Sequence, residues 1–310
     1  MSFKEVLLNG NQSAFKPENQ TPMQKLTLRF VVIGLVYYGF AAIEGMLMRI
    51  YAIGPISAIS EGQYFGILTA HPLVGIFGST YMLVFGAFLF LVPFLLKKPL
   101  WSYRAANWTC WLIAGGTMTF WLDGFISHYA PLYTLYWPLP ADFHQFHPLS
   151  GAIFITGIAL IMVGTLLFVL NIFKTITYTP AGFEKVNAKA MLSSALGFTA
   201  LANLLRGRKM KDEDHLIPLP VAAIARGTVD VLLNAGIILF TGVLILVYMV
   251  AELTGHSLKT SVVDALLYKN WYWWGLDLVA DGLVLIFVAG TWYLLASLIT
   301  GRTPFMQNWA

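Results

Sequence analysis

Six stretches of this chain run for about twenty residues or more with few charges. They are Phe30–Ile53, Gly66–Leu96, Trp108–Ser127, Gly151–Ile172, Val221–Val250 and Tyr272–Ile299. An α-helix rises 1.5 Å per residue, so about 20 apolar residues cross the hydrocarbon core of a bilayer. The pattern therefore predicts an all-α, polytopic membrane bundle of about six transmembrane helices. The second and fifth stretches exceed the minimum length, which leaves room for tilt or an interfacial end.

The basic residues orient these spans. With six crossings, every Lys and Arg except Arg49, Lys259 and Lys269 falls on one side. Loops on the cytoplasmic side carry the excess of Lys and Arg, so both termini are expected in the cytoplasm. The implied organisation is a cytoplasmic segment 1–29, a membrane domain 30–300 and a cytoplasmic tail 301–310. The first 26 residues are polar, with no apolar core or small-residue cleavage site, and are expected not to be a cleaved signal peptide. The connections differ in character. Residues 128–150 lack Lys and Arg and are rich in Tyr, Trp and Pro, as suits a lid on the outer membrane surface. The cytoplasmic loop 174–220 contains a stretch, 185–205, that reads either as a surface helix or partner-docking site, or as a solvated linker.

Composition supports lipid as the solvent. Of the 310 residues, 58% are hydrophobic and 11% are charged, whereas soluble domains carry about 25% charged residues. The single cysteine, Cys110, excludes an intrachain disulfide or cysteine-ligated cluster. The net charge of +4 is explained by the loop asymmetry and gives no reason to expect nucleic acid.

Ionisable groups inside spans cost about 2.5–3.5 kcal/mol each on insertion scales, so each asks for a reason. The candidates are Glu44, His71, Asp123, Asp277 and Asp281. Arg226 and Asp230 are four apart and can pair with each other. His71 stands in Leu68-Thr-Ala-His-Pro-Leu73, followed by Gly75, Gly78 and Gly86. A neutral imidazole can ligate haem iron, and small residues let a flat macrocycle approach; the same histidine could instead bond a carbonyl of a neighbouring helix. His128, His144, His147, His215 and His256 lie at span ends or in loops, so a second axial ligand is expected from another chain. Asp277 and Asp281, four apart, share one helix face. Two stacked acids call for a cation or a shared proton, or else Asp277 is solvated and Asp281 bonds a neighbour. Glu44 is a candidate for proton transfer, or it pairs with Arg49. Asp123 reads as structural.

Taken in order, several segments resemble the catalytic subunit of the haem-copper oxidase superfamily, over most of residues 30–300. The run 68–73 resembles the second-helix motif that holds the low-spin haem, which implies His71 as its axial ligand. Leu132-Tyr-Thr-Leu-Tyr-Trp-Pro-Leu139 and the helix from Gly151 are similar to the family's Tyr-Pro-Pro-Leu loop and fourth helix. Trp273-Trp274 resembles the sixth helix, where the family places one ligand of the non-haem metal. At the position four residues later, oxygen reductases of two major branches carry tyrosine and nitric oxide reductases carry glutamate. Here it is Asp281, an acid, which favours the second branch. The ligand position is Asp277 where the family has histidine, and the family's further glutamate falls on Leu285. An oxygen-rich site suits iron better than copper, or the substitution marks a dead site.

The resemblance implies the N-terminal, six-helix half of a split subunit I in a prokaryotic plasma membrane, reducing nitric oxide or dioxygen. His71 would share a low-spin haem with a partner chain that supplies the remaining helices and histidines. Asp277 and Asp281 would serve a non-haem iron or copper, beside a possible second, high-spin haem. Electrons would come from quinol or a cytochrome subunit, and lipid would surround the helices. The alternatives are a non-catalytic membrane anchor or electron-transfer subunit, and, third, a transporter using the stacked aspartates.

Overall fold

The computed structural model describes residues 21–54, 59–183, 185–209 and 216–302. Within the last part, the side chains of residues 276, 277 and 279–287 lie outside that description. All regular structure among the described residues is helical.

Helix α1 spans Pro22–Ile53 and α2 spans Glu61–Leu96. Both begin with a reciprocal capping box. The Thr21 hydroxyl accepts from the Gln24 backbone N–H, while the Gln24 side chain accepts the Thr21 N–H; Ser60 and Gln63 repeat the arrangement. Inside α2, Pro72 withholds one backbone donor, and the ladder widens into a π-helix over Val74–Tyr81 before resuming at Met82. Helix α3 is Tyr103–Ser127 and α4 is Pro148–Thr177. Two short helices, α5 (Ala188–Ala195) and α6 (Phe198–Leu205), meet at 75° around Gly197, whose φ of +83° suits glycine. Then follow α7 (Leu219–Leu253), α8 (Ala265–Leu285), a π-turn (Ile286–Gly290) and α9 (Thr291–Thr300).

Helices α1, α2, α4 and α7 are long and apolar enough to cross a membrane; the bent α5–α6 pair adds a fifth if counted as one span. The other two expected spans are helical as well, although they fall outside that group among the described residues. In α3 the reason is composition: Trp108, Trp111 and Trp121 alternate with threonines, two of which, Thr109 and Thr117, point into the protein. In the last stretch, Val288–Thr300 is apolar but short, and the side chains of residues 279–287 before it lie outside the description. Each of the six expected spans thus lies within a helical stretch that starts a few residues earlier, where polar caps and interfacial residues extend the apolar run.

The bundle closes on small residues, because lipid supplies no hydrophobic drive between helices and backbones must approach closely. A Cβ added at Gly116 on α3 would lie 2.4 Å from the Gly157 carbonyl oxygen on α4, and the reverse substitution would meet Gly116 O at 2.7 Å. Phe85 on α2 stacks on Phe168 of α4 with ring centroids 3.8 Å apart. Helix α1 turns Val32, Leu35, Val36 and Met46 outward. The loop after α3 folds over the end of the bundle: Trp137 is buried against Tyr248 and Tyr268 and donates to the Thr260 carbonyl. At the opposite end, Arg226 donates to the Ala195 carbonyl and docks α5, while α6 buries none of its side chains.

Candidate functional site

His71 stands at the last turn before the π-helix of α2, next to Pro72. Its Nδ1 lies 2.9 Å from the Ala41 carbonyl oxygen on α1. A carbonyl can only accept, so Nδ1 carries the proton and Nε2 keeps its lone pair. The two readings of His71, carbonyl partner and metal ligand, are therefore compatible: one nitrogen orients the ring and the other is left to bind.

Glycines frame that ring. A Cβ at Gly45 on α1 would meet His71 Cε1 at 3.1 Å, so a side chain there would crowd the imidazole. Gly75, about one turn beyond His71, faces open space, since a Cβ there would meet nothing within 4 Å. An oriented imidazole with an unshielded neighbouring position fits one axial position of a flat macrocycle.

Glu44 immediately precedes Gly45 and is 2% exposed. Its Oε1 accepts from the Trp121 indole N–H at 2.8 Å, and Oε2 is buried without a hydrogen-bond partner. Trp121 is held in turn by stacking on Phe40, with centroids 4.9 Å apart. The pairing of Glu44 with Arg49 expected from their spacing is replaced by this bond across to α3. Arg49 is exposed, and the indole pairs one carboxylate oxygen inside the bundle without burying a second charge. Asp123 is buried; its Oδ1 accepts from Ser127 Oγ on its own helix at 2.6 Å, and its Oδ2 is buried without a hydrogen-bond partner.

Asp277 and Asp281 fall on α8, and their side chains lie outside the described residues. Among the described residues, α8 joins a polar chain not expected from the sequence. The Tyr81 hydroxyl on α2 donates to Asn234 Oδ1 on α7 at 2.9 Å, and Asn234 Nδ2 donates to the Gly275 carbonyl on α8 at 2.6 Å. Tyr272, one turn before, donates to the Tyr133 carbonyl at 3.2 Å. An asparagine in the apolar run 221–250 was the available signal, since a polar side chain in a span needs a partner. No group of three or more His, Cys, Asp or Glu converges among the described residues.

The description "Cytochrome C and Quinol oxidase polypeptide I" belongs to a family profile that matches residues 25–310, nearly the whole chain. The chain belongs to that family, the haem-copper oxidase subunit I family. Individual relatives match in part. A cytochrome c oxidase subunit 1 homolog of Azorhizobium caulinodans is 29% identical over 160 residues, which cover 48% of this chain and 28% of that protein. The Agrobacterium tumefaciens homolog is 31% identical over 94 residues, covering 30% of this chain and 16% of that protein. The bacteroid homolog of Bradyrhizobium diazoefficiens is 26% identical over 159 residues, again 48% and 28%. The chain thus spans less than a third of the length of the relatives it matches. The chain is thus a helical membrane protein of the oxidase subunit I family, a family that typically binds haem.

Proposed function

We propose that His71 is an axial ligand of a low-spin haem and that this chain acts as the N-terminal half of a split subunit I in a respiratory terminal reductase. The observation that carries the reading is the bond from His71 Nδ1 to Ala41 O, which leaves Nε2 as the nitrogen that can bind iron. When bound, the haem supplies one-electron transfer through its iron. The chain's own residues orient and shape that site: the Ala41 carbonyl sets the tautomer, and Gly45 and Gly75 leave room. Glu44, with its unpartnered Oε2, is the proton-transfer group.

The second axial histidine comes from a partner chain that also supplies the remaining helices. Among the described residues, His128, His144, His147 and His256 all sit at helix ends or in connections. Asp277 and Asp281 serve as oxygen ligands for a non-haem iron or copper, next to a second, high-spin haem. The acid at 281 favours nitric oxide over dioxygen as substrate. Quinol or a cytochrome subunit donates electrons. The distribution of Lys and Arg supports a cytoplasmic 1–29 segment, 301–310 tail and 174–220 loop, and the membrane in this reading is a prokaryotic plasma membrane.

The test is to purify the complex with its co-purifying chains, identify those by mass spectrometry and record reduced-minus-oxidised spectra. A low-spin haem signal that disappears in His71→Ala is expected, together with a partner chain rich in intramembrane histidine. An intact complex without haem would overturn the reading. Asp277 in place of the family's histidine favours a second reading, a non-catalytic subunit with a degenerate metal site. That reading requires Asp277→Asn and Asp281→Asn to leave turnover unchanged.

A further inference from the structure

The turn between α2 and α3 holds a feature that haem chemistry does not use. Lys97 ends α2 with a left-handed backbone, φ +53°, ψ +35°, at a cap where glycine is the usual residue because it has no Cβ penalty. The neighbouring residues are anchored. Lys98 Nζ donates to the Ile176 and Tyr178 carbonyls at the end of α4, at 2.8 and 3.1 Å, and the Tyr178 hydroxyl donates to the Pro99 carbonyl at 2.6 Å. Lys98 is thereby committed to structure, and burial lowers the pKa of its ammonium. Lys97 is presented outward on this fixed corner.

Beside it runs a groove of about 360 Å³ with a floor of Met23, Phe90, Phe94 and Leu100 and a rim of Lys97 and Tyr103. Phe90 and Phe94 lie one turn apart on the last two turns of α2, with parallel rings 5.8 Å between centroids, and Phe94 is 43% exposed. Arg104, the next residue after Tyr103, is exposed as well. No Asp or Glu lines the groove, and none occurs in residues 21–43 or 62–122 of the chain. A cationic, carboxylate-free rim over an apolar floor, at the end of a membrane-crossing helix, matches a ligand with an anionic head and a hydrocarbon tail.

We propose that this groove binds an anionic phospholipid, with its phosphate on the Lys97 ammonium and the Tyr103 hydroxyl and one acyl chain along Phe90 and Phe94. The strained backbone at Lys97 then has a physical reason, because it aims a cation at the headgroup where glycine would only close the helix. The lipid clamps the α1–α2–α3 end of the bundle.

The test is native mass spectrometry of the intact complex, extracted in mild detergent and offered an equimolar mixture of phosphatidylglycerol and phosphatidylcholine. Phosphatidylglycerol is expected to be retained about fivefold over phosphatidylcholine, the factor for ~1 kcal/mol from one lysine at an anionic surface. Lys97→Gly suits the left-handed backbone, so it preserves the fold while removing the charge, and it should abolish the preference; Lys97→Arg should retain it. Lys174→Ala removes an exposed charge at the end of α4, outside the groove, and should leave the preference unchanged. Equal retention of the two lipids, or an unchanged preference in Lys97→Gly, would overturn the proposal. So would an equal loss in Lys174→Ala, which would mean diffuse surface charge and no site.

Discussion

The His71 imidazole on α2 hangs from the backbone carbonyl of Ala41 on α1, 2.9 Å away, one turn before Gly45, which faces the same ring. Two helices thus fix one ring. The partner is a backbone atom, so no substitution at position 41 removes the acceptor itself, and the orientation must be disturbed through neighbouring volume.

Gly45 provides that handle. Gly45→Val would push on His71 Cε1, which a single added carbon already approaches to 3.1 Å. Loss of an outer-shell partner typically weakens metal binding by about 10–100-fold. Haem content per protein, measured as the pyridine haemochrome, should fall accordingly in Gly45→Val and remain near wild type in Gly39→Ala, where a Cβ meets nothing.

Asn234 joins α2, α7 and α8 through two hydrogen bonds. Asn234→Leu leaves the Tyr81 hydroxyl and the Gly275 carbonyl buried and unpaired, at a cost of about 1–3 kcal/mol for each such group. Denaturant or detergent unfolding should show the loss. The double variant with Tyr81→Phe should recover part of it, because one of the stranded groups is then gone.

Glu44 and Trp121 separate structure from chemistry. Glu44→Gln keeps an oxygen to accept the indole N–H and leaves at most one buried amide NH2 unpaired, so stability should fall by no more than about 1–3 kcal/mol. If Glu44 transfers protons, turnover of the assembled complex should nevertheless drop at least tenfold. Trp121→Phe should also lower stability by about 1–3 kcal/mol, through an unpaired buried carboxyl. Unchanged turnover in Glu44→Gln would remove Glu44 from the proton path.

Adjacent glycines on α3 test the packing account. Gly116→Ala places a carbon 2.4 Å from the Gly157 carbonyl and should destabilise by about 1–3 kcal/mol as the helices part. Gly115→Ala meets nothing within 4 Å and should be neutral or stabilising by up to about 1 kcal/mol. Thermal unfolding of both variants in one detergent gives the comparison.

Much of this protein was legible from residue order. Apolar run length dictates helices in lipid, because every backbone group must be bonded within its own segment. The helix starts were less legible: capping boxes at Thr21 and Ser60 begin α1 and α2 before the apolar runs at Phe30 and Gly66, and the π-helix after Pro72 was not expected. The motif around His71 was visible, since a lone histidine inside an apolar run stands out. Only the tertiary structure decided the partners. Glu44 has Arg49 five residues along its own helix, yet bonds Trp121, 77 positions away, because bundle packing brings an indole to it while Arg49 faces outward. Asn234 looked like one more residue of an apolar run until α2 and α8 closed on either side of it. Helical spacing specifies which residues share a face; which faces meet is set by the close approach of glycines such as Gly116 and Gly157, and that is a property of two helices at once.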